Sequence, residues 1–473
     1  MIVMKFGGSS LADAACFEQV AGLVNRALSQ GPLVVLSAVG ETTNRLEEAA
    51  RRAETGGLPE ALRQLEGILA LHRHIAAELR REDSRRDGGE PVGAGGIGEA
   101  LESAAAEIEV LLKGVAHLRE LTPRTLDVIL SFGERLSTRL FAFYTGAEWV
   151  DARRFMRTDG RFGRAQPDRQ ALGRLAREHL EPRLGPGAAV VTQGFVGATE
   201  DGQTTTLGRG GSDYSASLLG VALEASEVQI WTDVEGVFTC DPRMVPDATP
   251  LPFLTFAEAS ELAAFGARVL HPATLQPAVE AGVPLTVRHT HKPEGSFTTV
   301  SAGRLRTRRQ WALAGRGPVT VLTVTSAGML QQPGFLARLF EVFGRHEVSV
   351  DLVATAEVSV SLTVEEDAPV AALVEEISTF GRVEVTRGRA LVAVVGQDLK
   401  RISGLGARIF GALTAINVEM ISMGASDINL SLIVRQEQMV ETLQRLHGAL
   451  TREEPRVARQ PEVPRAMLAG SDP

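Results

Sequence analysis

The first 300 residues alternate short apolar runs with stretches of helical period. Helical patterns fall at about 12–30, 42–55 and 212–224. Four runs rich in β-branched residues predict buried strands at Ile2–Phe6, Leu33–Ala38, Ala188–Thr192 and Val228–Thr232. Strands that alternate with helices favour a parallel sheet with helices packed on it. The sequence therefore predicts an α/β domain over residues 1–300 with a mostly parallel central sheet.

The pattern changes after residue 318, where the chain repeats itself. Residues 334–340 align with residues 404–410, and Val348 aligns with Val418 at the same offset. Each copy predicts a strand, a glycine turn, a helix, two strands and a second helix, so two small α+β domains are expected. Their predicted bounds are 319–388 and 389–453.

Three further segments have compositions that predict irregular structure. Residues 301–318 carry many Arg and Gly and are expected to form a linker, and residues 454–473 a flexible tail. The stretch Asp83–Gly98, rich in glycine and charge, predicts a mobile loop. Near residues 255–266, by contrast, Thr255 and Glu258 fit the capping box that begins a helix.

The bulk composition is that of a soluble globular chain. The 473 residues carry 23% charged and 44% hydrophobic residues, with a net charge of −9. This charge argues against a nucleic-acid partner. Two cysteines exclude a disulfide framework and fit a reducing compartment. We find no apolar segment long enough for a membrane span, so a cytoplasmic protein is expected.

The strongest chemical signal is the hydroxyl- and glycine-rich run Thr204–Asp213. Its glycines allow the backbone to approach a ligand, and a helix is predicted to begin directly after it. Arg209 can bind a carboxylate or phosphate through two nitrogens, and Asp213 can organise cationic groups. A glycine-rich surface loop is the simpler alternative for this run taken alone.

Other polar segments also follow predicted strands. Lys5, followed by two glycines, suits phosphate binding but is not a Walker loop, because the lysine precedes the glycines. The hydroxyls of segment 37–44 could hold a small polar substrate or simply cap a helix, and segment 193–197 could close the substrate pocket. Glu134, expected in the first turn of a helix, could accept a substrate ammonium. The segment 231–243 could form a nucleotide pocket. His289 and His291 have no evident third ligand, so we predict no metal site.

Together these segments resemble the aspartokinases of the amino-acid-kinase family, over residues 1–450. The family order and spacing are kept by Lys5–Ser10, Ser131–Thr138, Thr204–Asp213, Trp231–Arg243 and Phe265–Pro272. The resemblance implies an amino-acid-kinase-like sandwich followed by two ferredoxin-like ACT domains. It implies transfer of the ATP γ-phosphate to L-aspartate, with Mg²⁺ accompanying ATP, in a homodimer or dimer of dimers formed through the ACT domains.

The resemblance also assigns roles to residues. Lys5, Arg209 and Asp213 are expected to be catalytic, and Thr43, Glu134, Arg209 and Ser212 to bind the substrate. The expected ATP contacts are Lys5, Gly7, Gly8, Thr232, Asp233, Phe238, Arg243 and Arg268. Two of these depart from the family pattern, in which Tyr is usual at Phe238 and Lys at Arg268.

The single-function, lysine-inhibited class of the family is the closest likeness. It implies an L-lysine site in the first repeat, formed by Met329, Phe335, Leu336, Ser349, Val350, Asp351, Thr355 and Glu357. Asp351 and Glu357 are the expected partners of a cationic ligand. Gln332 and Ala356 depart from the small hydroxyl residues of that class.

Two other functions remain open at this point. The chain could phosphorylate a different acidic metabolite, or it could be an effector-binding ACT regulator whose kinase domain has decayed. The presence of Lys5, Glu134, Arg209 and Asp213 argues against decay.

Overall fold

The computed structural model describes residues 1–87, 96–266, 272–303, 310–329 and 333–451. These divide into two compact units. The first contains the described residues within 1–237, 250–263 and 268–304, and the second those within 238–249, 264–267 and 305–473. The predicted tail 454–473, Arg268 and Gln332 lie outside the described residues, as do positions 304–309 of the predicted linker.

The first unit alternates helices and strands as the hydrophobic pattern predicts. Its elements are β1 (Ile2–Phe6), α1 (Ala14–Arg26), β2 (Pro32–Leu36), α2 (Thr42–Glu54), α3 (Leu58–Asp87), α4 (Gly96–Leu118), α5 (Pro123–Thr145), β3 (Glu148–Trp149), α6 (Arg169–His179), β4 (Val190–Gln193), β5 (Val196–Ala198), β6 (Thr204–Thr206), α7 (Gly211–Ala222), β7 (Val228–Thr232), β8 (Phe253–Thr255), α8 (Phe256–Ala264), α9 (Pro272–Ala281), β9 (Leu285–His289) and β10 (Thr298–Ser301).

The main sheet of this unit is mostly parallel, which confirms the predicted fold class. Its strand order is β3-β4-β2-β1-β7-β9-β10-β8. Strand β1 lies between β2 and β7 and is parallel to both, whereas β10 runs antiparallel to β9. The strand that follows β1 in the chain, β2, lies on one side of it, whereas the strands that follow β7 lie on the other side. Ligands bind at such a switch point, beyond the carboxyl ends of the strands. The topology therefore indicates the edge beyond β1 as the place for a site.

Helices α1 to α5 pack beside this sheet, and the bounds of two of them differ from the sequence prediction. Apolar side chains of α1 to α5 form a single buried cluster with Met4 and Phe6 of β1. The predicted loop Asp83–Gly98 is wrong at both ends, because α3 continues to Asp87 and α4 begins at Gly96. Arg85 and Arg86 are good helix formers and help to extend α3 to Asp87. Residues 88–95 lie outside the described part.

The capping box predicted at α8 is confirmed. The backbone N–H of Thr255 donates to Glu258 Oε2 at 2.8 Å, and the backbone N–H of Glu258 donates to Thr255 Oγ1 at 3.2 Å. The two residues thus satisfy each other's backbone donors at the start of the helix.

The second unit contains the two repeats. Its elements are β11 (Trp311–Thr325), α10 (Phe335–Arg345), β12 (Val353–Thr355), β13 (Ser359–Glu365), α11 (Val370–Ile377), β14 (Arg382–Gly396), α12 (Leu405–Ala412), β15 (Met420–Met423), β16 (Asn429–Arg435) and α13 (Met439–Thr451). The strands form one antiparallel sheet in the order β12-β13-β11-β14-β16-β15. Each repeat packs its own helices on this sheet around a separate apolar core.

Strand β11 belongs to both repeats. Residues 319–325 pair with β13 of the first repeat, whereas Trp311–Arg316 pair with Leu391–Gly396 of the second. Trp311 and Leu313 are buried in the core of the second repeat. The predicted linker 301–318 is therefore wrong over 311–318. Apolar residues alternate with small and polar ones there, and burial of Trp311 and Leu313 fixes the segment as a strand.

The segment 238–249 also belongs to the second unit, so the predicted catalytic domain is not continuous over 1–300. Cys240 and Val245 are buried in the second repeat's core. Thr239 accepts a backbone hydrogen bond from Leu313 at 2.7 Å and bonds His447 Nε2 through its hydroxyl at 2.9 Å. The burial of apolar side chains and the backbone hydrogen bond together explain why segment 238–249 belongs to the second unit.

Candidate active site

A cavity of about 300 Å³ lies beyond the carboxyl end of β1 in the first unit. It is open to solvent and predominantly lined by polar or glycine residues, as expected for a charged ligand. The lining residues are Lys5, Ser37, Thr43, Glu134, Phe195, Gly208, Arg209, Gly210, Gly211, Ser212 and Asp213. All three predicted catalytic residues and all four predicted substrate-binding residues are among them.

Lys5 and Asp213 form an ion pair at this cavity. Lys5 Nζ lies 2.5 Å from Asp213 Oδ1, and the two side chains are only 10% and 19% exposed. Lys5 is held by β1, and Asp213 by the first turn of α7. Asp213 therefore fixes a buried ammonium group at the edge of the sheet, where it can face an anionic ligand.

The glycine-rich turn forms as predicted between β6 and α7. Gly208 and Gly210 adopt positive φ angles of 77° and 72°, which favour glycine. Helix α7 begins at Gly211, and its N-terminal end lies at the cavity. The backbone N–H groups of the first turn of a helix point toward that end. Arg209 is exposed and lines the cavity with Ser212. The Gly211 N–H donates within the turn to the Gly208 carbonyl at 2.9 Å. The turn thus places a helix N-terminus beside a guanidinium group, an arrangement suited to an anion.

Glu134 enters the cavity from the middle of α5, not from a first helical turn as predicted. The helix already begins at Pro123, since Thr122 caps it and Pro is well tolerated in a first turn. Gly133 lets the helix approach closely, because a Cβ there would lie 2.8 Å from Ala38 Cβ. This close packing places Glu134 against the segment that follows β2.

The Glu134 carboxylate is buried and only partly satisfied. Oε1 accepts the Ala38 backbone N–H at 3.3 Å, whereas Oε2 has no hydrogen-bond partner among the described residues. Burial raises the pKa of Glu134 to about 8, against the opposing effects of backbone hydrogen bonds and nearby Lys5. A cationic group in the cavity would supply the missing partner and restore the ionised form.

The two glycines after β1 have different surroundings. Gly8 lies against the turn after β2, where a Cβ would meet Gly40 O at 2.7 Å, so a side chain is sterically excluded. The Gly7 N–H donates to the Trp231 carbonyl at 3.3 Å. That donor is therefore engaged by β7, which differs from the prediction that it faces a phosphate.

Apart from Lys5, the predicted nucleotide residues that the structure describes are not among those that line the cavity. Thr232 ends β7 in the first unit, and its hydroxyl donates to Asp233 at 3.1 Å. Phe238 and Arg243 lie in the 238–249 segment, which belongs to the second unit. Arg243 forms an ion pair with Asp241 at 2.6 Å. The nucleotide assignments thus remain predictions.

The predicted effector residues differ in their burial. Met329, Phe335 and Val350 pack against the apolar core of the first repeat. Ser349, Thr355 and Glu357 are exposed, and Leu336 is 41% exposed. Core packing explains the apolar members, whereas the polar members are accessible to a ligand.

Asp351, the first expected partner of a cationic effector, already has a cation beside it. An Arg316 guanidinium nitrogen lies 2.5 Å from Asp351 Oδ2, and Arg316 also binds Glu365 at 2.8 Å. Asp351 is thus already paired in this structure, and its role as an effector contact stays a prediction. Arg316 was missed because it lies in the segment predicted as a linker.

One further residue supports the site without a motif that identifies it. Asp127 binds the strand leading into the glycine-rich turn, and its one sequence signal is its position seven residues before Glu134 on the same helix. Phe195, from the predicted segment 193–197, lines the cavity after β4. Within the described residues, no group of three or more His, Cys, Asp or Glu is arranged to hold a metal.

Comparison with known proteins defines the class. The model of the amino acid kinase family matches residues 1–289, and that of the ACT domain matches residues 322–374 and 392–450. The fold and the cavity are accordingly those of an amino acid kinase joined to paired ACT domains.

Full-length relatives define the particular family. The chain is 42% identical to lysine-sensitive aspartokinase 3 of Escherichia coli, covering 95% of this chain and 99% of that one. It is 38% identical to chloroplastic aspartokinase 1 of Arabidopsis thaliana, covering 94% and 79%. This chain belongs to the aspartokinases.

Solved structures agree with this assignment. The E. coli aspartokinase III complex with aspartate and ADP, described as the R-state, matches with a TM-score of 0.82 at 40% identity. The complex of that enzyme with lysine and aspartate, the T-state, matches with a TM-score of 0.75 at 41% identity. Both comparisons cover 95% of this chain and 99% of the other. Among the described residues, no helix is both long and apolar enough to span a membrane.

Proposed function

We propose that this chain is an aspartate kinase that transfers the γ-phosphoryl group of ATP to the side-chain carboxylate of L-aspartate, giving 4-phospho-L-aspartate. The carrying observation is the cavity in which Lys5, Glu134, Arg209 and Asp213 meet, since these charges complement a zwitterionic acid and a phosphoryl group. The relationship to lysine-sensitive aspartokinase 3 supports the same reaction.

The charges divide between two ligands. Arg209 pairs with a substrate carboxylate, and Glu134, whose Oε2 lacks a partner among the described residues, accepts the substrate ammonium. Thr43 and Ser212 supply hydroxyl groups beside them. This arrangement leaves the second carboxylate of aspartate to face Lys5 and the helix N-terminus.

The reaction needs no general base, because an aspartate carboxylate is already ionised at neutral pH. The chief barrier is to bring two anions together and stabilise the charge of the transferring group. Lys5 neutralises phosphoryl oxygens, and Asp213 holds Lys5 in place through the ion pair. The backbone N–H groups of Gly8 and of the first turn of α7 add donors.

ATP is the proposed phosphoryl donor, with Thr232, Asp233, Phe238, Arg243 and Arg268 as its proposed contacts. Mg²⁺ supplies charge neutralisation when it accompanies ATP. Asp213 is committed to Lys5, so the phosphates and water would hold the ion for the most part.

L-lysine is the proposed feedback inhibitor, acting through the first ACT domain. Glu357 is exposed and can receive an ammonium group, and the related E. coli enzyme has been solved with lysine. Assembly into a homodimer or a dimer of dimers through the ACT domains and a cytoplasmic location remain part of the proposal.

The test is an ADP-release assay on the purified chain with aspartate, glutamate and N-acetylglutamate, with and without lysine or threonine. Hydroxylamine trapping identifies an acyl phosphate product. We expect aspartate to be preferred and lysine alone to inhibit. Preference for another acid would replace the proposed substrate, and lysine binding without turnover of any acid would favour the decayed regulator.

A further inference from the structure

A buried carboxylate outside the cavity holds the turn that carries Arg209. Asp127 is 1% exposed and lies in the first turns of α5. Its oxygens accept the Thr206 backbone N–H at 2.9 Å and the Thr206 hydroxyl at 2.7 Å. They also accept the Gly163 N–H at 2.9 and 3.0 Å. A buried charge of this kind persists because donors from two separate segments converge on it.

The same two segments contact each other beside Asp127. The Ala165 N–H donates to the Thr206 carbonyl at 2.9 Å. Gly208 approaches so closely that a Cβ there would lie 2.9 Å from the Gly163 carbonyl oxygen. Residues 163–165 and 206–208 thus form one hydrogen-bonded layer, and Arg209 follows it directly.

Asp127 and Glu134 are seven residues apart on α5. Seven residues are close to two helical turns, so both side chains lie on the same face, separated by about 10 Å along the axis. The helix between them is buried, with Leu130 and Ser131 in its interior face. One rigid element therefore presents Glu134 to the cavity and anchors the turn that carries Arg209.

We infer that Asp127 is a positioning residue that fixes the distance between Arg209 and Glu134, and thereby the length of amino acid that fits between them. This inference rests on the proposed function for the roles of Arg209 and Glu134. Asp127 itself touches no substrate; it acts through Thr206 and the glycine turns.

The test compares Asp127→Asn and Thr206→Val with the wild type. The asparagine keeps the shape but loses the charge, and its NH₂ group replaces one of the two accepting oxygens, so it weakens the hydrogen bonds that hold the turn. We expect the KM for aspartate to rise roughly ten- to hundredfold, which corresponds to one or two lost buried hydrogen bonds. The KM for ATP should stay within about twofold of the wild-type value. The ratio of kcat/KM for aspartate to kcat/KM for glutamate should decrease. Thr206→Val, which retains the backbone bond, should show a smaller rise in the same direction.

Asp168→Asn is the matched control. Asp168 caps α6 by accepting the N–H groups of Gln170 and Ala171 at 2.9 and 3.0 Å, and it does not line the cavity. Because Asn caps a helix about as well as Asp, this variant should change neither the melting temperature nor the KM for aspartate. An unchanged KM for aspartate in Thr206→Val and in any folded Asp127→Asn would overturn the inference.

Thr206→Val decides the question if Asp127→Asn does not fold. Wild-type turnover of aspartate tests the proposed function separately. If the wild type prefers another acidic amino acid, the same KM comparison with that substrate still decides whether Asp127 positions the site.

Discussion

Two largely buried ion pairs, one in each unit, have the same N···O distance but different surroundings. In the first unit Lys5 Nζ lies 2.5 Å from Asp213, and both residues line a cavity. In the second unit Arg316 lies 2.5 Å from Asp351, and Glu365 also binds its guanidinium. The first pair faces a space that a ligand can enter, whereas the second is closed by the chain's own carboxylates.

This difference in surroundings distinguishes the proposed catalytic site from the proposed regulatory site. The proposed active site needs no rearrangement of its ion pair to receive an anion, because Lys5 already points to the cavity. A cationic effector that uses Asp351 must displace Arg316 first. Occupancy of the effector site therefore depends on a competition within the regulatory unit, which lowers the apparent affinity for the effector.

Removing the cation of the first pair should have the largest effect. Lys5→Met keeps the length of the side chain but loses its charge, so kcat should fall roughly several-hundredfold, as for loss of one preorganised electrostatic contact. Turnover at saturating substrates, with circular dichroism to check folding, measures this. Lys113→Met, which removes an exposed lysine paired with Glu109, is the control. Near-normal kcat for Lys5→Met would contradict the catalytic assignment.

Arg209→Ala should chiefly weaken the binding of aspartate. Loss of its pairing with a carboxylate should raise the KM for aspartate roughly ten- to hundredfold and leave the KM for ATP nearly unchanged. Initial rates with each substrate varied in turn separate the two constants. Arg177→Ala, which breaks an exposed pair with Glu224, should change neither. A larger effect on ATP would move Arg209 to the nucleotide side.

Glu134 predicts a pH dependence. Because the pKa of Glu134 is raised to about 8, most of this carboxyl is protonated at neutral pH and cannot pair with an ammonium group. Binding should improve as the proton leaves, so the KM for aspartate should fall roughly eightfold between about pH 7 and about pH 8.5. Glu134→Gln should raise the KM and remove this slope. If the KM for aspartate of Glu134→Gln still falls with rising pH, the titrating group is not Glu134.

Arg316→Gln should have the smallest effect, and it tests the second pair. With the internal cation removed, Asp351 is open to the effector, so the lysine midpoint should fall by roughly three- to tenfold while uninhibited kcat is kept. Lysine titrations at subsaturating aspartate give the midpoint. Arg389→Gln, which breaks a similarly buried pair with Glu419 in the second repeat, is the control. An unchanged or higher midpoint would show that Arg316 does not compete with lysine.

The sequence predicted those parts of the site that depend on local pattern. Lys5 follows an apolar strand, and Arg209, Ser212 and Asp213 lie in a glycine-rich turn before a helix, so short-range spacing places them at one sheet edge. Parallel β1 and β2 bring Thr43 to that edge as well. The fold class was predictable for the same reason, since it follows from alternating strand and helix periods.

The remaining features depend on contacts between distant residues. Asp127 meets Thr206 across 79 positions, and Arg316 meets Asp351 across the whole first half of a repeat. The assignment of 238–249 to the second unit depends on the burial of Cys240 and Val245 in a core formed by residues from 311 onward. The hydrophobic period of a sequence does not reveal such pairings, because it shows which face of a helix or strand is buried and not which other element packs against that face.

The continuity of β11 limits how this protein can be divided. Because Trp311–Arg316 complete the sheet of the second repeat, a fragment that begins at residue 389 would leave Leu391–Gly396 without a neighbour on one side and remove Trp311 from its core. The first repeat is, in effect, an insertion within the second. A gene fusion or deletion that exchanges the first repeat must therefore remove residues 319–388 as a block and join Pro318 to Arg389, because a cut between the repeats would divide the second repeat.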